Sequence, residues 1–253
     1  MRKLCSLLSP LRVWRPTTAM LILLLLASGA FAFDHSHAQF QSVLDKYVKD
    51  GRVNYTGLLN DRAELDAYVA SVGEVSFEQY RAFTKSEKLA LMINLYNAAA
   101  MQFILNHWPV ESIQDVGGLF SSPWNIKFLK LFGRDASLGM IEHDILRADF
   151  KEPRIHFAIV CASVGCPTLR SDVYTDIKLN QQLAEQERHF LTQRPKENRF
   201  ENGVLYISPM FKWYKEDFDD NEGVRTLFQI YYPDVKIDTR IEYTEYDWSI
   251  NCQ

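Results

Sequence analysis

From Leu89 to Leu105 only Asn94, Asn97 and Gln102 interrupt an apolar run, and a helix that is apolar nearly all round belongs in the middle of a core. The pattern predicts this helix over 85–107. Thr84 followed by Glu87 is a capping box, and Trp108-Pro109 closes the run because proline disfavours helical geometry in the residue before it. Asn94 and Asn97 share a stripe with Ala90 and Met101. A buried amide without a partner costs roughly 1–3 kcal/mol, so both are expected to bond to loops or to a neighbouring polar site.

Around this helix the pattern predicts shorter elements. Helices are expected over 40–47 and 58–72, the latter with Leu65, Tyr68, Val69 and Val72 on its apolar side, and a brief extended piece over 53–55. A short helix over 139–148 has Leu138, Ile141 and Ile145 on one side and His143 and Arg147, four apart, on the other. Residues 155–161 read as a buried strand, 179–191 as an amphipathic helix, 204–207 as a strand, 211–218 and 224–232 as helices, and 235–237 and 241–243 as closing strands. Periodicity does not decide between strand and helix over 128–132. Helices and strands mix without a βα repeat, which predicts an α+β fold: one compact domain with the central apolar helix packed on a small mixed or antiparallel sheet. No repeat or linker divides residues 40–253. Residues 33–39 are expected to form a flexible leader, with His35 and His37 solvated rather than holding a metal.

The first 32 residues change the picture of where the chain works. Arg2, Lys3, Arg12 and Arg15 form a basic region, an apolar stretch follows, and Ala30-Phe31-Ala32 gives a cleavage pattern. A cleavable signal peptide over 1–32 is expected, with export to the periplasm or beyond. The apolar run is shorter than the ~20 residues of a spanning helix, and no cysteine follows it to carry a lipid, so no stable membrane anchor is expected after cleavage. Removing this segment takes four of the 28 Lys and Arg residues and none of the 32 Asp and Glu, leaving 24 against 32 and a net charge of −8. That balance argues against a phosphate-tracking nucleic-acid binder. Cys161, Cys166 and Cys252 remain, an odd number where disulfides persist, so one thiol needs another role.

Candidate chemistry concentrates between residues 141 and 167, which hold Glu142, His143, His156, Cys161 and Cys166. Strand parity would put His156 on the face opposite Cys161. Cys161 would end the strand at Ala162-Ser163-Val164-Gly165, presenting a thiol beside successive backbone N–H groups, a geometry that suits a nucleophile with an oxyanion pocket. His143 is the candidate base. Glu142 points about 100° away from it on a helix, so an orienting group is expected from elsewhere, with Asn94 and Asn97 as candidates. Glu142, Arg147, His156, Lys212 and Trp213 are candidate binding residues.

Three readings of the cysteine pair stay open: a Cys161–Cys166 disulfide closing a small loop, a thiol-dependent hydrolase or acyl transferase, and a metal site of the two cysteines with one histidine. The aromatic run from Phe211 to Phe218 reads as core before it reads as a ligand platform, and Tyr246 to Asn251 as a clamp that docks the C-terminus. With no glycine-rich phosphate loop, no Gly-x-Ser-x-Gly elbow and no zinc-protease helix, no cofactor is expected. The expected ligand is a small molecule or peptide.

Several motifs in order resemble the domain of unknown function family 547. They are Gly51-Arg52-Val53-Asn54-Tyr55; Ile93-Asn94-Leu95-Tyr96-Asn97-Ala98; Ile141-Glu142-His143 with Ile145-Leu146-Arg147; Arg154 through Cys161 to Cys166-Pro167; Phe211-Lys212-Trp213-Tyr214 with Asp217-Phe218; and Tyr246-Asp247-Trp248-Ser249. The resemblance implies that Asn94, Asn97, Glu142, His143, Arg147, His156 and Cys161 occupy the family's recurring polar positions. It further implies relatives that keep the first cysteine and carry serine at the second, which shifts weight from a disulfide toward a thiol site. Thr168 stands where a second proline often follows Pro167.

Overall fold

The computed structural model describes residues 33–118 and 121–253. The expected signal peptide lies outside them. In chain order the elements are α1 (Ala38–Tyr47), β1 (Val48–Lys49), β2 (Arg52–Val53), α2 (Tyr55–Asn60), α3 (Ala63–Gly73), α4 (Phe77–Ala82), α5 (Lys85–His107), β3 (Leu129–Leu131), β4 (Arg134–Ala136), a π-helix (Met140–Arg147) running into α6 (Ala148–Phe150), α7 (Leu179–Thr192), β5 (Arg199–Glu201), β6 (Val204–Ile207), α8 (Met210–Trp213), α9 (Asp220–Gln229) and β7 (Arg240–Tyr243). With 51% helix and 12% strand, the fold is α+β.

α5 is the axis. Its capping box is complete, with the Glu87 N–H donating to Thr84 Oγ1 at 3.2 Å and the Thr84 N–H to Glu87 Oε2 at 2.6 Å. It is apolar enough to cross a membrane, but 89% of that stretch is buried inside the domain. The helix packs on α2, α3 and the π-helix. Gln102 donates to Asp66 of α3 at 2.7 Å. Asn94 brackets Tyr174, accepting its N–H at 2.9 Å and donating to its carbonyl at 2.7 Å. Asn97 does the same for a neighbouring run, accepting the Val160 N–H at 2.9 Å and donating to the Ala158 carbonyl at 3.0 Å.

The antiparallel pairs β1–β2 and β3–β4 share the apolar cluster of α5. β5 and β6 form an antiparallel hairpin, β7 adds in parallel to β6, and this mixed sheet covers a second apolar cluster with Phe190, Phe211, Phe218 and Phe228. Phe157 belongs to that cluster, whereas its neighbours Ile155 and Ala158 belong to the cluster around α5. The segment from Ile155 therefore bridges two cores.

That bridging explains the main correction. Residues 155–161 form no strand but a 3-10 turn, Pro153–Phe157, followed by irregular backbone. Pro153 opens the turn, Glu152 caps it by accepting the Arg154 N–H, and side-chain amides replace the missing ladder: Asn97 serves Ala158 and Val160, and Gln186 donates to the Phe157 carbonyl at 3.1 Å. A buried apolar run looks the same in sequence whichever way its backbone is satisfied.

Residues 235–237 also form no strand. Thr239 closes a turn there, its N–H donating to the Lys236 carbonyl and its Oγ1 accepting the Lys236 N–H at 2.7 Å. The expected 58–72 helix is two helices, broken at Asp61 and Arg62, and 211–218 is α8 followed by a 3-10 turn, Lys215–Phe218. Over 128–132 the chain forms β3, which pairs antiparallel with β4. The segment 33–39 is packed rather than loose: Phe33 lies against the core, and His37 is buried with its Nδ1 2.8 Å from the Tyr68 hydroxyl.

Candidate functional site

A cavity of about 480 Å³ opens where the two cores meet. α5 contributes Tyr96, the π-helix Glu142, His143 and Arg147, the 3-10 turn His156, and the following loop Cys161 and Cys166. Trp213, Tyr214, Tyr246, Trp248 and Trp124 give the wall its aromatic part. His156 and Cys161, which strand parity would separate, thus face one space because the strand is absent.

The π-helix sets the polar floor. Its wider turn brings Ile141, Glu142 and Leu146 inward together, and leaves Ile145 only half-buried. Glu142 is 3% exposed and each of its oxygens accepts a phenol: Oε1 from the Tyr214 hydroxyl at 2.5 Å and Oε2 from the Tyr96 hydroxyl at 3.0 Å. Burial, then the Glu142 charge, pushes both phenols above their ordinary range, so both stay protonated donors.

Arg147 and His156 converge on Asp217. Arg147 Nε donates to Oδ2 at 2.6 Å and Nη2 to Oδ1 at 3.0 Å, a bidentate pair, while His156 Nε2 lies 2.6 Å from Oδ2. Burial alone would raise the Asp217 carboxyl; the hydrogen bonds from His156 and Arg147 overcome this and hold it well below the usual carboxylate range. Tyr214 organises the group from the other side, stacked on the His156 ring at 4.0 Å and lying under the Arg147 guanidinium at 5.2 Å. Arg147 Nη1 donates to His143 Nδ1 at 3.0 Å.

In the same cavity, Cys161 Sγ lies 2.8 Å from Cys166 Sγ, 3.6 Å from Ser163 Oγ and 3.7 Å from the Tyr246 hydroxyl, with both thiols free. The hydrogen bond from Cys166 draws the Cys161 thiol down despite burial, and burial pushes the Cys166 thiol up. Glu142 acts against the Cys161 thiolate. Ala162, next in the chain, holds a left-handed φ of 66°, a conformation that costs a side-chain-bearing residue on the order of 1–3 kcal/mol and collects at functional sites. The C-terminal clamp is present: Val164 and Gly165 donate to the carbonyls of Ser249 and Asp247 at 2.8 Å, and Asn251 donates to that of Ala162. A Cβ on Gly165 would stand 2.9 Å from the Asp247 nitrogen, so only glycine fits there.

Several expected roles change on this geometry. The N–H groups of Val164, Gly165 and Cys166 are taken by the carbonyls of Ser249, Asp247 and Ser163, so they form no oxyanion pocket. The amides of Asn94 and Asn97 are spent on backbone groups and orient no histidine. Lys212 lies off the cavity, 5.8 Å above the Tyr243 ring, whereas Trp213 lines it and is 47% exposed. Among the described residues no three His, Cys, Asp or Glu side chains gather as a metal would require. Sequence reasoning missed Tyr96, Tyr214 and Asp217. All three stood within the family-like motifs without a role, and nothing local marked Asp217 as the partner of two residues 61 and 70 positions away.

Fold and site together define an α+β domain whose cavity is lined by a thiol pair and by a carboxylate-anchored Arg–His group. The family model described as "Protein of unknown function, DUF547" matches residues 80–191, and that part of the chain belongs to the family. The match contains Tyr96, Glu142, His143, Arg147, His156 and both loop cysteines. No curated protein and no solved structure matches the chain.

Proposed function

We propose that the cavity is the active site of a cysteine-dependent hydrolase or acyl transferase acting on a peptide-like or amide substrate, with Cys161 as nucleophile. The observation that carries the reading is that Cys161, its thiol drawn below the ordinary range by Cys166, opens into a cavity it shares with two histidines. A thiol attacks as its thiolate and needs a proton acceptor. His143 was the candidate from sequence, but its Nδ1 accepts from Arg147, which leaves its other nitrogen as the donor. His156 has the complementary tautomer: Nε2 donates to Asp217, so Nδ1 carries the free lone pair. The reading therefore assigns the base to His156, oriented by Asp217, and leaves His143, Arg147 and the tryptophans to bind.

The rival is a non-catalytic binding module, favoured by the Glu142 charge near the thiol and by the spent loop N–H groups. Iodoacetamide alkylation of Cys161 against pH separates the two. Wild type is expected to react well below the unperturbed thiol pKa of ~8.5, and His156→Ala or Asp217→Asn to move the profile upward with the circular dichroism spectrum unchanged. A shift in His143→Ala instead would return the base to His143. Profiles that coincide, with Cys161 inert at neutral pH, would leave the binding module.

The same reading has the protein exported to the periplasm or beyond. The compact unit spans Phe33–Gln253 and so begins at the residue that cleavage after Ala32 would expose. N-terminal sequencing of exported protein is expected to start at Phe33, and a Met1 start in that fraction would refute it.

A further inference from the structure

The reactive thiol of the proposed site has a second thiol built in behind it. Both cysteines line the cavity, Cys161 half-buried and Cys166 only 3% exposed. Arg194 grips its loop, donating to the carbonyls of Val164 at 2.7 Å and Cys166 at 2.9 Å and to Thr168 Oγ1 at 3.1 Å, and is itself fixed by Glu197 at 2.7 Å. Gly165 is pressed against Asp247 on the other side. The loop is therefore anchored with the two sulfurs 2.8 Å apart, so joining them needs side-chain rotation and not a rebuilt backbone.

Two groups able to donate lie against the inner sulfur. The Cys161 N–H lies 3.2 Å from Cys166 Sγ, and the Tyr246 hydroxyl 3.1 Å from it. A structural disulfide has no use for them. A resolving thiolate does, because they stabilise negative charge at a buried sulfur. Burial opposes ionisation of Cys166, and the Cys161 hydrogen bond and, when it is a thiolate, its charge oppose it further. Once Cys161 is capped, its hydrogen bond and charge no longer oppose the inner thiolate, and the two donors remain to offset burial.

We infer that Cys161 and Cys166 form a dithiol–disulfide couple that exchanges with small-molecule disulfides, Cys161 attacking and Cys166 resolving. The inference rests on the reading of Cys161 as the reactive thiol. In the first step the Cys161 thiolate attacks a disulfide R–S–S–R, forming Cys161–S–S–R and releasing one R–S⁻. In the second, Cys166 loses its proton to solvent and its thiolate attacks the Cys161 sulfur, forming the Cys161–Cys166 bond and releasing the second R–S⁻. The protein loses two electrons and two protons, and the disulfide becomes two thiols. Closure removes the nucleophile, so the acyl-transfer site is off when oxidised and returns on reduction.

The test uses the full chain, reduced with dithiothreitol, freed of it, and exposed to oxidised glutathione before acid quenching and alkylation. Both cysteines lie on one tryptic peptide, residues 155–170, apart from Cys252. In wild type that peptide is expected to become two hydrogens lighter and to recover with dithiothreitol. Cys166→Ser, and Cys166→Ala as a second variant, are expected to stop at a glutathione adduct on Cys161. Cys161→Ser is expected to leave Cys166 reduced, reacting at least about tenfold more slowly. A lasting adduct on Cys161 of wild type with Cys166 still alkylated would overturn the couple and leave the thiol reading standing. The same holds if both thiols stay reduced while Cys161 takes iodoacetamide quickly. Refusal of both reagents by Cys161 would overturn the two together.

Discussion

One amide, that of Asn97, satisfies two backbone groups of a segment that has neither helix nor ladder to satisfy them, and that segment leads into Cys161. Ala158 and Val160 are buried, so replacing Asn97 by leucine strands a carbonyl and an N–H away from water. Asn97→Leu is expected to lower stability by roughly 1–3 kcal/mol, read from urea midpoints, because the cost is the desolvation of the abandoned groups. Asn94→Leu should lose a similar amount, since Tyr174 depends on it in the same way. The two should part at the thiol: only Asn97→Leu slows alkylation of Cys161 under conditions where both variants stay folded. Equal alkylation in both would mean that the run into the site holds its shape without the amide. At this scale the polar interruptions of an apolar helix told where to look. Asp217 gave no such signal, because a single carboxylate in an exposed aromatic turn looks like any other until the fold brings Arg147 and His156 to it.

Among the elements, legibility followed how far each is determined by its own residues. α5 was readable to both ends because its caps are local: Thr84 and Glu87 start it, and Trp108 before Pro109 ends it. β6 was equally plain, a short apolar run paired on both edges. The segment from Ile155 was misread because hydrophobicity records burial and not how buried backbone is satisfied, and here Asn97 and Gln186 come from helices far along the chain. The error had a functional consequence, since strand parity separated His156 from Cys161 and directed attention to His143. The helix carrying Glu142 was located, but its π winding was not, and it is that winding that buries Glu142 beneath Tyr96 and Tyr214. The cavity thus lies where two elements departed from regular geometry.

On the scale of the whole molecule, the N-terminal segment is tied to the body through a titratable group. Burial, aided by the neighbouring His35 charge and opposed by Asp34, pulls the His37 imidazole down to about 4 from its ordinary 6.5. Its Nδ1 meets the Tyr68 hydroxyl, and Nε2 has no partner among the described residues, so the site accommodates the neutral ring and penalises the cation. The folded pKa lies below the unfolded one, so the unfolded chain binds more protons between the two values and stability falls as pH drops from 6.5 toward 4. The stability is fully present above pH ~6.5, and a depression of this size corresponds to about 3 kcal/mol lost on acidification. Carboxylates titrate in the lower part of that range as well, so the measurement is a difference. Urea midpoints of wild type and His37→Gln, whose amide does not titrate, are compared across the window, and wild type should lose the greater stability. The gap between the curves should open below pH ~6.5 and stop widening near pH ~4. Parallel curves would show that the docked N-terminus holds its histidine with no preference for the neutral ring.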